Sequence, residues 1–136
     1  MGALEQDMAF VTVIVLLALV EYLYFSVAVG RARARHGVEA PSVSGDEHFE
    51  RFHRAHQNTL EQLVVFVPAI YAAAFYANAL LAVALGVVWL VARAHYFRSY
   101  IAEPARRGMG MIVTVVASTL LIAAALIGAV RQLLAA

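Results

Sequence analysis

The sequence predicts an all-α fold: an integral membrane four-helix bundle, built as a single domain over residues 1–136. Three observations predict it. Hydrophobic residues make up 63% of the chain and charged ones 14%, with a mean hydropathy of +0.78. A water-soluble fold of this size would expose much of that apolar surface, whereas lipid accepts it. The apolar residues gather into runs that approach the roughly 20 residues of a bilayer crossing. Between the runs stand turn formers and arginines.

The first run, residues 8–29, is apolar except for Thr12, Glu21 and Ser26. Glu5 and Asp7 precede it, not basic residues, and no A-x-A site follows, so a span is expected and not a cleaved signal peptide. Residues 30–47 read as a polar loop carrying Arg31, Arg33, Arg35, Pro41 and Gly45. A helical pattern starts at Asp46, polar to about Gln62 and apolar over 63–77. Asn78 is the one turn signal before the next run, so the second and third helices form a tight antiparallel hairpin. The run 79–92 is short for a span and crosses only if the helix continues through Arg93 and Tyr96 toward Tyr100. Arg107, Gly108 and Gly110 lead into the fourth run, 109–130, whose polar members are Thr114, Ser118 and Thr119.

Composition excludes several functions. The net charge is +1 and no basic stretch is interleaved with aromatics, so no nucleic-acid partner is expected. With no cysteine, disulfides, thiolate metal sites and a cysteine nucleophile are ruled out, and any sulfur chemistry must arrive with a ligand. All 10 basic residues are arginine, whose planar fork suits carboxylates. A GC-rich coding bias yields the same excess, so position must carry the argument.

Arginine position predicts orientation. Arg31, Arg33, Arg35, Arg51 and Arg54 fall at one end of the bundle with Arg98, Arg106 and Arg107, while the other end carries Glu5, Asp7 and Arg131. The positive-inside rule then places both long connections in the cytoplasm. Measured back from Asn78 at about 1.5 Å per residue, Glu61 lies roughly 25 Å along one helix; measured forward, Arg93 lies roughly 22 Å along the next. The two share a depth inside the membrane edge, where an ionisable group must face the bundle interior or a cavity. Arg54, Asn58 and Glu61 form one helical stripe, and Arg93, Tyr96 and Tyr100 a second facing it. Glu61 and Arg93 alone would read equally well as an interhelical pair. The stripes as a whole line a cleft opening to the cytoplasmic side, suited to a small peptide with carboxylates and an ammonium. From Arg54 to Glu61 the rise is roughly 10 Å, about the reach of an extended tripeptide. Other anions fit the same description.

These residues resemble a known family, the membrane-associated proteins of eicosanoid and glutathione metabolism (MAPEG). Glu50, Arg51, Arg54, Ala55, Asn58 and Glu61 stand in the order E-R-x-x-R-A-x-x-N-x-x-E, similar to that family's signature. Ala92, Arg93, Tyr96, Phe97 and Tyr100 are similar to the A-R-x-x-Y-F-x-x-Y stretch of its leukotriene C4 synthase branch. The spacing between the two, and back to Tyr24, Phe25 and Ser26, matches without gaps. The resemblance implies a homotrimer that binds glutathione between subunits through Arg33, Arg54, Asn58, Glu61, Arg93, Tyr96 and Tyr100. It implies that Arg107 activates the thiol, a nearby fixed cation favouring the thiolate. The partners would be glutathione as co-substrate, membrane lipids and a lipophilic small molecule, either an electrophile to be conjugated or a lipid hydroperoxide to be reduced. Gln62, Ala34 and Pro104 depart from the leukotriene branch, so a broad transferase or peroxidase is expected and not a dedicated leukotriene synthase.

Other residues carry their own expectations. Glu21, near the midplane, reads as a buried acid at an interface; as the cation site of a four-span exporter it would support a different function. A catalytically silent lipid-binding scaffold of the same family is a third reading. Pro68 is expected to kink the second helix. His48, His53, His56 and His95 lack a completing carboxylate, so no metal site is expected. Trp89 and Phe97 read as packing or lipid-facing residues and not as a substrate platform, Arg51 and Arg98 as solvated interface charges. Arg106 competes with Arg107 for the activating position.

Overall fold

The fold is described by a computed structural model covering residues 2–135. Four helices, α1 (Ala3–His36), α2 (Glu47–Tyr76), α3 (Ala79–Ala102) and α4 (Gly108–Leu134), follow one another, with a 3-10 turn at Pro104–Arg107 before α4. All four are long and apolar enough to cross a membrane. Central helices α2 and α3 each pack on the other three, leaving α1 and α4 on the flanks.

The boundaries follow local chemistry. Asp46 caps α2, its carboxylate accepting from the Phe49 amide at 2.9 Å, and Asn78 caps α3 through the Leu81 amide at 2.8 Å. The expected hairpin is therefore present, with Asn78 as its turn. One boundary differs. Arg31, Arg33 and Arg35 ride on α1, which runs to His36, and do not belong to a loop. Arg and Ala are strong helix formers, and cations favour a helix C-terminus. Gly37 ends the helix in the left-handed region at φ 64°, its amide bonding back to the Arg33 carbonyl. α2 continues through Pro68 without a break.

The membrane-embedded core forms where the helices approach closely. Phe66 stacks on Trp89 with centroids 4.2 Å apart, among the fully buried Val11, Ile70 and Leu121. A second cluster, nearer the arginine-rich end, stacks Phe25 on Phe97 at 3.8 Å. Of the two expectations for Trp89 and Phe97, packing and lipid-facing, the structure has packing, both side chains being buried. Small residues set the helix spacing: a Cβ on Gly128 would lie 2.0 Å from the Tyr76 carbonyl oxygen, and one on Gly110 would lie 2.8 Å from the Tyr96 backbone. Outside, Val20, Leu23, Val64, Leu80 and Leu126 are exposed, the surface a bilayer would cover.

Arg51 is not a freely solvated charge. It pairs with Glu47 and reaches the Ile101 and Ala102 carbonyls at 3.4 and 3.5 Å. Those carbonyls belong to the last turn of α3 and lack helical partners, so a cation is drawn to them.

Candidate active site

At the arginine-rich end, α2, α3 and the 3-10 turn enclose a cleft of about 520 Å³. Arg54, Asn58 and Glu61 line it from α2, Tyr96 and Tyr100 from α3, and Arg107 from the turn. Val43 and Ser44 of the α1–α2 connection close one side. Six of the eight residues singled out by sequence therefore meet in one concavity.

The seventh, Arg93, lies behind the cleft wall with none of its surface exposed. Its Nη1 donates to Asn58 Oδ1 at 2.9 Å and its Nε to Thr114 Oγ1 at 3.2 Å. Thr114 in turn donates to the Gly110 carbonyl at 2.7 Å. The guanidinium lies 4.0 Å from the centroid of the Tyr96 ring, a cation–π contact in a desolvated place. Asn58 stands between the two charges that sequence alone could equally pair, its Nδ2 donating to Glu61 Oε2 at 3.4 Å. The Glu61 carboxylate is exposed to the cleft and left available. In sequence Thr114 is one of three hydroxyl residues in an apolar span, with Ser118 and Thr119, and nothing in its spacing marks it as the partner of Arg93.

Arg107 is exposed. Its Nη1 donates to the Pro104 carbonyl at 3.2 Å, and its guanidinium lies 5.3 Å from the Tyr100 ring centroid. Tyr100 stacks against Tyr96 at 5.7 Å, so the two phenols and two guanidiniums form a layered wall. Neighbouring Arg106 instead forms an ion pair with Glu103 at 2.6 Å and is not part of the cleft lining. Arg54 is held loosely by Glu50 at 3.8 Å.

The eighth residue, Arg33, is not part of this lining. Its Nη1 donates to the carbonyls of Val38 and Ser42 at 3.2 and 2.7 Å, and it lies 4.6 Å from the Phe49 ring centroid. Arg33 thus folds the connection that presents Val43 and Ser44. Glu21, on α1, lines a separate groove with Oε1 buried and without a hydrogen-bond partner, near enough to Arg93 for the two charges to attract. Of the histidines, His53 lines the cleft and His56 stacks on Tyr22 at 4.4 Å.

Chemically, the cleft offers two exposed cations, the carboxylates of Glu61 and of Glu50, the latter beside Arg54, the amides of Asn58 and Gln57, the His53 imidazole and two phenols around a space open to water at the end of an apolar bundle. It suits a small zwitterionic peptide. Its lining residues include no cysteine, and the Ser44 hydroxyl has no hydrogen-bonded base among the described residues, so a nucleophile would come with the ligand.

Comparison with known proteins agrees with this layout. The family model described as "MAPEG family" matches residues 10–127. A protein of Synechocystis sp. of uncharacterized function is 37% identical over 95% of this chain and 94% of its own length. Microsomal glutathione S-transferase 2 of Mus musculus is 34% identical over 94% of this chain and 87% of its own. Leukotriene C4 synthase of Cavia porcellus is 31% identical over 98% and 89%. With the family model covering most of the chain and relatives above 30% identity covered over most of their length, the protein belongs to the MAPEG family.

Proposed function

We propose that this protein is a membrane-bound glutathione transferase that binds glutathione in the cleft and attacks lipophilic electrophiles with its thiolate. At family level, relatives named glutathione S-transferase and leukotriene C4 synthase support a glutathione-dependent activity. The observation that carries the reading to this chain is the convergence of Arg54, Asn58, Glu61, Tyr96, Tyr100 and Arg107 on one cleft.

Each side chain has a part. Arg54 pairs with a glutathione carboxylate and Glu61 with its α-ammonium, each as a charge-assisted contact. Asn58, fixed by Arg93, and the two tyrosines hold the peptide backbone. Arg107 faces the sulfur and lowers the free energy of the thiolate relative to the thiol, the proton leaving to water at the cleft mouth. The sulfur lone pair then forms a bond to the electrophilic carbon as the leaving group departs with its electron pair. The apolar acceptor arrives through the bilayer, where such molecules concentrate. The same thiolate is competent to attack the O–O bond of a lipid hydroperoxide, a reaction that consumes a second glutathione.

The resemblance extends the proposal to assembly: a homotrimer with glutathione between subunits, the Arg33 segment of one serving the ligand of the next. The cleft opens to the cytoplasmic side, by the arginine asymmetry between the two ends. The test is turnover: purified protein conjugates glutathione to a lipophilic aryl halide, and Arg107→Ala abolishes the reaction while glutathione still binds. A wild-type protein that binds glutathione but turns over neither an aryl halide nor a hydroperoxide would be a silent scaffold instead.

A further inference from the structure

A second concavity lies on α1, away from the cleft. Its lower part, about 670 Å³, runs between α1 and α3 and is walled largely by Phe25, Phe97, Ile101 and Ala102. Its upper part, about 140 Å³, is lined by Arg31, Arg35 and His36. Tyr24, Ala28 and Phe52 line both parts, so the two are one groove. Tyr24, Ala28, Arg31 and Arg35 follow i, i+4, i+7, i+11, a single stripe of α1. Extension of α1 to His36 creates this stripe; a loop would not hold the cations in register with the apolar wall.

Charge and length identify the occupant. Arg31 and Arg35 are exposed and make no ion pair or side-chain hydrogen bond among the described residues. The nearby Asp46 is engaged by His36 at 3.2 Å. Arg98 adds a third exposed cation on the α3 side. From Arg35 down to Glu21, at the groove's deep end, is 14 residues of helix, roughly 21 Å, close to one leaflet of a bilayer about 40 Å thick. Cations at the rim, aromatics below them and an apolar slot one leaflet deep match a phosphate headgroup, its glycerol region and an acyl chain.

We propose that this α1–α3 groove is a specific site for an anionic phospholipid, whose phosphate is held by Arg31 and Arg35 and whose acyl chain lies against Phe25, Phe97 and Ile101. The site shares no residue with the glutathione cleft, so it stands whether or not the transferase reading holds.

Native mass spectrometry of the full chain in neutral detergent tests it, titrating phosphatidylglycerol or phosphatidylcholine with identical acyl chains. Wild type retains phosphatidylglycerol preferentially. Arg31→Gln with Arg35→Gln weakens that binding roughly thirtyfold, the effect of two basic groups at an anionic headgroup, and removes the preference. Ala28→Trp, which keeps both cations but fills the slot, weakens binding of both lipids. Glu21→Gln leaves the preference unchanged. Equal retention of the two lipids by wild type would overturn the proposal. So would displacement of the lipid by an equal concentration of glycerol phosphate, which would mark a headgroup-only anion site. Loss of preference in Glu21→Gln would shift recognition to the carboxyl end, and a changed oligomeric mass in the double variant would make the groove an interface between copies.

Discussion

Arg93 is a cation without exposed surface, and its hydrogen-bond partners are neutral: an amide, a hydroxyl and a thioether, beside an aromatic face. Burying a charge in this way is costly unless each donor is met, which makes Asn58 a structural residue as well as a candidate ligand. Asn58→Ala is expected to lower stability by about 2 kcal/mol, the cost of leaving a charged donor without its acceptor. Chemical denaturation in detergent measures it. Arg107 is different, since it is exposed and, among the described residues, its one hydrogen bond is to the Pro104 carbonyl of its own turn. Arg107→Ala should leave the thermal midpoint nearly unchanged and remove turnover, a separation of stability from activity that Asn58→Ala cannot give.

Among the elements, the close approaches of glycine decide most. Gly110 lets α4 sit against α3 at Tyr96, so Gly110→Ala should force the helices apart and displace a cleft residue. A loss of about 1–3 kcal/mol in stability is expected, accompanied by weaker glutathione binding in calorimetry. Gly128→Ala, at the far end against Tyr76, should destabilise by a comparable amount with glutathione affinity preserved. The start of α2 carries a pH dependence. The Phe49 amide holds the Asp46 carboxyl below the usual carboxylate range, with His36 adding to the effect. A lowered folded value means the cap stabilises above the unfolded carboxylate range and is lost as pH falls through the folded one. The acid limb of a thermal-stability profile should therefore flatten in Asp46→Asn, which keeps an uncharged cap.

At the scale of the whole molecule, the four crossings were legible in the sequence because hydropathy and caps are local: Asp46 and Asn78 act within three residues of themselves. Five cleft residues, Arg54, Asn58, Glu61, Tyr96 and Tyr100, were legible because they repeat at helical spacing on two adjacent antiparallel helices, whereas Arg107, on the 3-10 turn, was reached only through the family resemblance. What local reading missed depends on distance in space. The Arg–Ala alternation after Gly30 looks like a loop by charge, yet it is helix-forming and ends only at Gly37. Thr114 meets Arg93 through the register of α4 against α3, which Gly110 sets and no spacing rule reveals. Arg51 finds the last turn of α3 fifty residues away. For the assembly, the proposal predicts a detergent-corrected mass of three chains by analytical ultracentrifugation; a monomer retaining full glutathione affinity would remove the intersubunit site.

The measurement that tests the central claim most directly is thiolate formation, read as the ultraviolet difference absorbance on adding glutathione to the detergent-purified protein. A thiolate band is expected at neutral pH, vanishing in Arg107→Ala while calorimetry still detects binding. Glutathione bound as the neutral thiol by wild type would contradict activation by Arg107, and no binding would remove the glutathione cleft altogether.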